Sequence, residues 1–415
     1  MSGILALIAI PYFIFYMIPH QEDLLIYIAA SKAASRDQNF YEVTNNAYVY
    51  GPLLGIALTA FSELSTNAIK VIWFIFNFNS LIVIVIAINS LREKTKRQKI
   101  NPVFMSILIL TSFSFRSNLG QGQLVPMLSA LCLTAFCIFN SNIFSWKRYL
   151  LATLLLLPVF EVKPYLFVGV LAYFLYEKKY NLILCFTSLL VIANVIYFHV
   201  WKITYIDWWN ALKVRAKSID GGFDQASLQS ILINSLNLSQ NTRLIVLFVY
   251  YLFIISIIKI KKNSLLRIEN RLAFFLVLPT VVSPFLHPHD MLFGLMGLLL
   301  IVEVKRESRQ AILKLLFLAS VFHVAWTSQQ LTGGLIIQLL FSVSIKVFYP
   351  KELKIQTWLT MNVLMAALLA VSYYSFPGHT DKIDFYHVQT FLVLFMWFIV
   401  IVFHSEKSRN LTENY

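Results

Sequence analysis

Residues 68–99 read AIKVIWFIFNFNSLIVIVIAINSLREKTKRQK, an apolar run closed by a block of bases at Arg92, Lys94, Lys96, Arg97 and Lys99. Within it, Ile82-Val83-Ile84-Val85-Ile86 shows no polar face, as expected of a helix surrounded by lipid rather than water. About 20 apolar residues rising 1.5 Å each cover the ~30 Å hydrocarbon layer. This run is long enough, and the bases after it mark one side of the membrane.

The rest of the chain extends the same pattern. Of 415 residues 58% are hydrophobic and 13% charged, and the mean hydropathy is +0.70. That composition points to an all-α polytopic membrane protein, a single integral membrane domain over 1–415. The formal charge of +14 falls in short blocks between apolar runs, which points to membrane topology and away from nucleic acid. Cys132, Cys137 and Cys185 lie inside apolar runs and read as small core side chains rather than a disulfide or metal set. No basic leader or cleavage site precedes His20, so the first run is expected to remain as a helix.

If every apolar run crossed, the Arg92 to Lys99 block and the basic 259–271 connection would face opposite sides. Demoting the run at 50–63, too short after Pro52, restores the positive-inside rule. The expectation is a bundle of about 12–14 transmembrane helices with interfacial helices in the first outer loop. Residues 19–67 form that loop, and 201–241 a second, long one. Leu24, Leu25, Tyr27, Ile28, Ala30, Ala33 and Ala34, with Lys32 and Arg36, give a small amphipathic helix suited to a membrane surface.

Polar chemistry then gathers on one face. Asp23 is either a helix cap or a base at the water–lipid boundary, with Glu22 as its rival. Lys163, following a long apolar run and preceding Pro164, either pairs with Glu161 or binds a phosphate. His287, His289 and Asp290 have poor metal spacing and suit donation to an anionic leaving group better. Asn118, Gln121 and Gln123 flank Gly120 and Gly122, a pattern of either turn chemistry or close ligand approach. No acid occurs between Glu93 and Glu161, so that loop offers no carboxylate pair to a cation. Trp208 and Trp209 read as interface anchors, with Lys213, Arg215 and Lys217 near anionic headgroups.

The ordered series Asp23, Tyr27, Ala29-Ala30, Asn39-Phe40-Tyr41, Tyr50-Gly51-Pro52-Leu53, Asn118 with Gly120-Gln121, and Lys163-Pro164 resembles glycosyltransferase family 87 of the GT-C superfamily. The resemblance runs over about residues 20 to 300; Tyr-Gly-Pro-Leu stands where many relatives have Tyr-Pro-Pro-Leu. It implies a hexosyltransferase, mannosyltransferase-like, moving a sugar from a polyprenyl-phosphate donor to a lipid or glycan acceptor at the outer face of a bacterial cell membrane. In that reading Asp23 is the catalytic base. Lys163, His287 and His289 hold the donor phosphate, and Tyr27, Tyr50, Asn118, Gln121, Gln123, Asp290 and Arg215 contact substrate. Transfer is expected to be inverting and to need neither metal nor cofactor. The competing readings are a capsule or O-antigen polymerase acting through Arg215 and the 201–241 loop, and a lipid-linked glycan transporter.

Overall fold

The computed structural model describes residues 21–301, except 46, 96, 142–144, 219–238, 261–267 and 284–286, together with 346, 355, 356, 358, 359, 362 and 363. The first apolar run, Lys96 and the spans expected beyond 301 fall outside these residues, apart from those isolated positions. Every regular element described is helical: α1 Glu22–Ala34, α2 Phe40–Val43, α3 Pro52–Ala57 continued by a 3-10 turn Leu58–Phe61, α4 Thr66–Lys94, α5 Pro102–Thr111, α6 Phe113–Gln121, α7 Val125–Phe139, α8 Ser145–Val162, α9 Pro164–Tyr176, α10 Tyr180–Trp201, α11 Tyr205–Ser218, α12 Gln240–Ile260, α13 Ile268–Val282 and α14 Met291–Ile301. Helix starts follow local chemistry. Asn39 and Asn101 accept backbone N–H groups at the starts of α2 and α5, and proline occupies the first turn of α3, α5, α7 and α9.

The expected bundle of about 12–14 transmembrane helices is corrected here. Among the described residues two helices, α4 and α10, are long and apolar enough to cross a membrane; a third counts only if α5 and α6, bent by 60°, form one span. The cause is segmentation. Among the described residues six further apolar stretches are helical over only 10–17 residues, below the ~20 needed, and prolines in the first turns of α3, α7 and α9 mark where three of them begin. Hydropathy registers the apolar content of such a run but not the breaks within it.

The chain forms two compact units, one of residues 17–87 and 118–222, the other of 1–16, 88–117 and 223–415. In the first, α1 packs on α2 and α3, burying Leu24, Tyr27 and Ala30 completely. The apolar face expected to lie on a membrane surface is therefore covered by protein except at Leu25, which is exposed. Trp73 Nε1 donates to the Gly122 carbonyl at 2.8 Å and Cys137 Sγ lies 3.6 Å from the Ala87 carbonyl, so α4 and α7 run side by side in the same direction. Behind them α7, α8, α9 and α10 close a core in which Phe136 meets Tyr173 and Phe174, and Phe160 meets Phe167 and Phe186.

In the second unit α13 lies against α14, where Gly297 leaves no room for a Cβ: one built there would stand 2.7 Å from the Ala273 carbonyl oxygen. Arg92, expected as a loop charge, is 1% exposed. Its guanidinium donates to the carbonyls of Leu299 at 2.8 Å, Leu300 at 3.2 Å and Gln98 at 2.9 Å, and Arg97 donates to Ile301. These bases meet the carbonyls of Leu299, Leu300 and Ile301, the last described residues of α14.

Candidate binding site

The corner that carries Asp23 is assembled by a turn. Gly122 follows α6 with φ +74°, and the Gln123 N–H returns to the Asn118 carbonyl at 2.9 Å, the Schellman pattern that only glycine enters without strain. A Cβ on Gly122 would also meet Leu24 Cβ at 2.9 Å and Gln21 Cβ at 3.0 Å. The turn thus lies directly on the start of α1.

It delivers the Gln123 side chain to two partners. Gln123 Nε2 donates to Asp23 Oδ2, and Gln123 Oε1 accepts from the Tyr27 hydroxyl at 3.3 Å. Both ends of the amide are engaged, which fixes its orientation and that of the carboxylate. Tyr27 Oη is also 3.1 Å from Tyr50 Oη, its ring meets the Tyr50 ring edge-on at 5.0 Å, and the Trp73 ring lies 5.7 Å away. Tyr27 is fully buried and Asp23 partly exposed, so the carboxylate stands at the open side of an aromatic wall. Burial first, then the neighbouring Tyr50 and Asp23, drives the Tyr27 hydroxyl well above the usual tyrosine range, and it remains a neutral donor.

Tyr50 is held from behind. Tyr41 Oη donates to the Tyr50 carbonyl at 2.9 Å, and Tyr48 Oη donates to the Gly51 carbonyl at 2.9 Å while accepting the Gly55 N–H at 2.8 Å. The anchor of this segment is Glu161 at the end of α8, with no exposed surface. Its Oε2 accepts the Leu53 N–H at 2.7 Å in the first turn of α3, and its Oε1 accepts hydroxyls from Tyr197 at 2.9 Å and Tyr205 at 2.6 Å. The Gly51 N–H bonds to the Glu161 carbonyl. Burial raises the Glu161 carboxyl above its ordinary range, against the opposing pull of the bonds from Tyr205, Leu53 and Tyr197.

Of the residues singled out in the sequence, Asp23, Tyr27, Tyr50 and Gln123 come together. Asn118 is buried beside them and supplies its carbonyl, whereas Gln121 is exposed. Lys163 is buried before α9 in the same unit, its Nζ 5.6 Å from the Tyr165 ring. His287, His289 and Asp290 belong to the other unit: the imidazoles stack at 5.0 Å, Asp290 Oδ2 accepts the His287 N–H at 3.0 Å, and His289 Nε2 is 3.7 Å from Asp290 Oδ1. Arg215 lies on α11, and its side chain, like that of Glu22, is outside the described residues. Among the described residues no three His, Cys, Asp or Glu side chains gather as a metal ion requires. Sequence reasoning missed Gln21 and Trp73, and took Glu161 only as a pairing partner for Lys163. The cue that marked Lys163, a charge at the end of an apolar run, marks Glu161 equally well.

No family model, no curated protein and no solved structure matches this chain. The likeness to glycosyltransferase family 87 is corrected accordingly, since neither a family match nor a many-span bundle stands behind its short motifs. Much of what those motifs spell is local structure: Tyr50-Gly51-Pro52-Leu53 is the glycine that clears Glu161 and the proline that starts α3, and Lys163-Pro164 starts α9. With the resemblance go the hexosyltransferase activity, the polyprenyl-phosphate donor, the lipid or glycan acceptor and the many-span placement at the outer face of a bacterial cell membrane; what the described residues show toward a membrane is the two or three helices able to cross one. The polymerase and the transporter, which presupposed the same bundle, go too.

Proposed function

We propose that the corner formed by α1, Tyr50 and the Gly122-Gln123 turn binds a small organic cation, with Asp23 as its counter-charge. The observation that carries this reading is the orientation of a partly exposed carboxylate by an amide whose other end is tied to a buried tyrosine. Such a carboxylate is positioned before any ligand arrives, so little ordering entropy is lost on binding. An ammonium group donates to carboxylate oxygen in a charge-assisted bond, and neighbouring aromatic faces favour it further through their quadrupoles.

The test is calorimetric titration of the full chain with propylammonium and with its neutral isostere butane. Propylammonium is expected to bind, butane to bind far more weakly, and Asp23→Asn to reduce the ammonium affinity by roughly tenfold or more, the equivalent of one charge-assisted bond. Equal affinity of Asp23→Asn and the parent protein for propylammonium would refute the assignment.

A further inference from the structure

Gln21 precedes α1, makes no capping bond with its side chain, and has no exposed surface. Among the described residues neither its Nε2 nor its Oε1 has a hydrogen-bond partner. A buried carboxamide in that state is unfavourable, because it has given up water and received nothing in return. Its position is specific: Gln21 Cβ abuts Gly122, the residue that turns Gln123 toward Asp23. Gln21, just before α1, and Asp23, in its first turn, therefore both bear on the Gly122-Gln123 turn.

A second unmatched carboxamide lies one helical turn beyond Trp73. Trp73 donates to the Gly122 carbonyl, and Asn77, four residues further along α4 on the same helix face, is also fully buried with neither amide atom partnered. An apolar side chain would fill either position without leaving donors and acceptors unmatched. The unmatched amide of Gln21, two residues before an oriented carboxylate, is the complement of a ligand with both a charge and an uncharged polar group.

We infer that the ligand of the Asp23 corner carries, beside its ammonium group, a neutral group that both donates and accepts hydrogen bonds, of the carboxamide or hydroxyl class, and that Gln21 reads it. This rests on the cation-binding reading above. An amide ligand matches each Gln21 atom with its opposite, donor to acceptor and acceptor to donor, and discrimination follows because an analogue lacking that group leaves Gln21 unmatched.

Glycinamide and propylammonium are near-isosteres that share the ammonium group and differ in the amide. Titrated into the full chain, glycinamide is expected to bind about tenfold more tightly than propylammonium, and Gln21→Met to bring that ratio close to one. Asp23→Asn should weaken both ligands together. A ratio near one in the parent protein, or one unchanged by Gln21→Met, overturns the role of Gln21 while leaving Asp23 standing; indifference of both ligands to Asp23→Asn overturns the cation reading itself. Thermal unfolding without ligand gives a second check. Gln21→Met is expected to unfold no earlier than the parent, since an unmatched amide is replaced by an apolar side chain of similar length. Unfolding at a clearly lower temperature would mean that a buried water already satisfies Gln21, and would overturn the inference.

Discussion

Replacing Glu161 by alanine removes three hydrogen bonds at once, from Leu53 N–H and from the hydroxyls of Tyr197 and Tyr205. Each donor left buried without an acceptor costs about 1–3 kcal/mol. The tyrosine rings stand edge-on with centroids 5.9 Å apart, close enough for one hydroxyl to turn to the other, so two of the three donors are stranded. Against this, the fold no longer carries the desolvated carboxylate whose burial raises its pKa. The balance is a loss of about 3 kcal/mol, within the range seen when one partner of a buried polar set is removed. Glutamine keeps one acceptor oxygen and the side-chain volume, and turns an amide donor toward either Leu53 N–H or the tyrosines; its loss should be about half as large. Urea unfolding followed by tryptophan fluorescence reads both, since buried Trp73 and Trp208 belong to this unit. Glu161→Ala within about 0.5 kcal/mol of the parent, the scatter of ordinary surface substitutions, would refute the hydrogen-bond argument. So would equal losses for the two variants.

The same carboxyl sets a pH dependence. Its folded pKa is raised, so the folded state holds the proton more firmly than the unfolded chain. The contribution to stability is full below the unfolded value of about 4.3 and is lost as pH rises through the folded one. The stability gap between parent and Glu161→Gln should therefore shrink as pH rises from about 4 toward neutrality; a gap that widened would reverse the sign of the shift. Gly122→Ala places a Cβ in the left-handed region and against Leu24 Cβ at 2.9 Å, so a loss of about 2–3 kcal/mol is expected by denaturant unfolding. Arg92→Met removes the guanidinium bonds to the carbonyls of Leu299, Leu300 and Gln98 and should destabilise the other unit by about 3 kcal/mol, with hydrogen exchange accelerated in α14.

Helices and their starts were legible along the chain because their causes are local: prolines at 52, 102, 126 and 164 lie in the first turns of α3, α5, α7 and α9. The number of membrane crossings was not. Composition reports how apolar a stretch is, whereas crossing requires that it stay one straight helix, and the break at Ser112 between α5 and α6 is a backbone event with ψ 140° that no hydropathy window resolves. Half of the candidate site was readable for a related reason. Asp23, Tyr27, Tyr50 and Gln123 stand out as polar or aromatic groups in short loops, but their meeting depends on Gly122 turning left-handed. Gln21 was invisible as a site residue because an unmatched amide is defined by what surrounds it. Arg92 shows the converse: a base in a basic block reads as solvated until a helix some two hundred residues away is found against it.

The Glu161 anchor also orders the events of folding. Its bonds to Gly51 and Leu53 join segments 108 residues apart in the case of Leu53, so the segment bearing Tyr48 and Tyr50 emerges from synthesis long before its acceptor exists. Until α8 is complete the first turn of α3 has no carboxylate to receive it, and closing so long a loop is among the slow steps available to a chain. The corner around Asp23 is thus a late product of folding. Any change that delays α8 is felt first at α3 and the Tyr48–Tyr50 segment, far upstream in the chain.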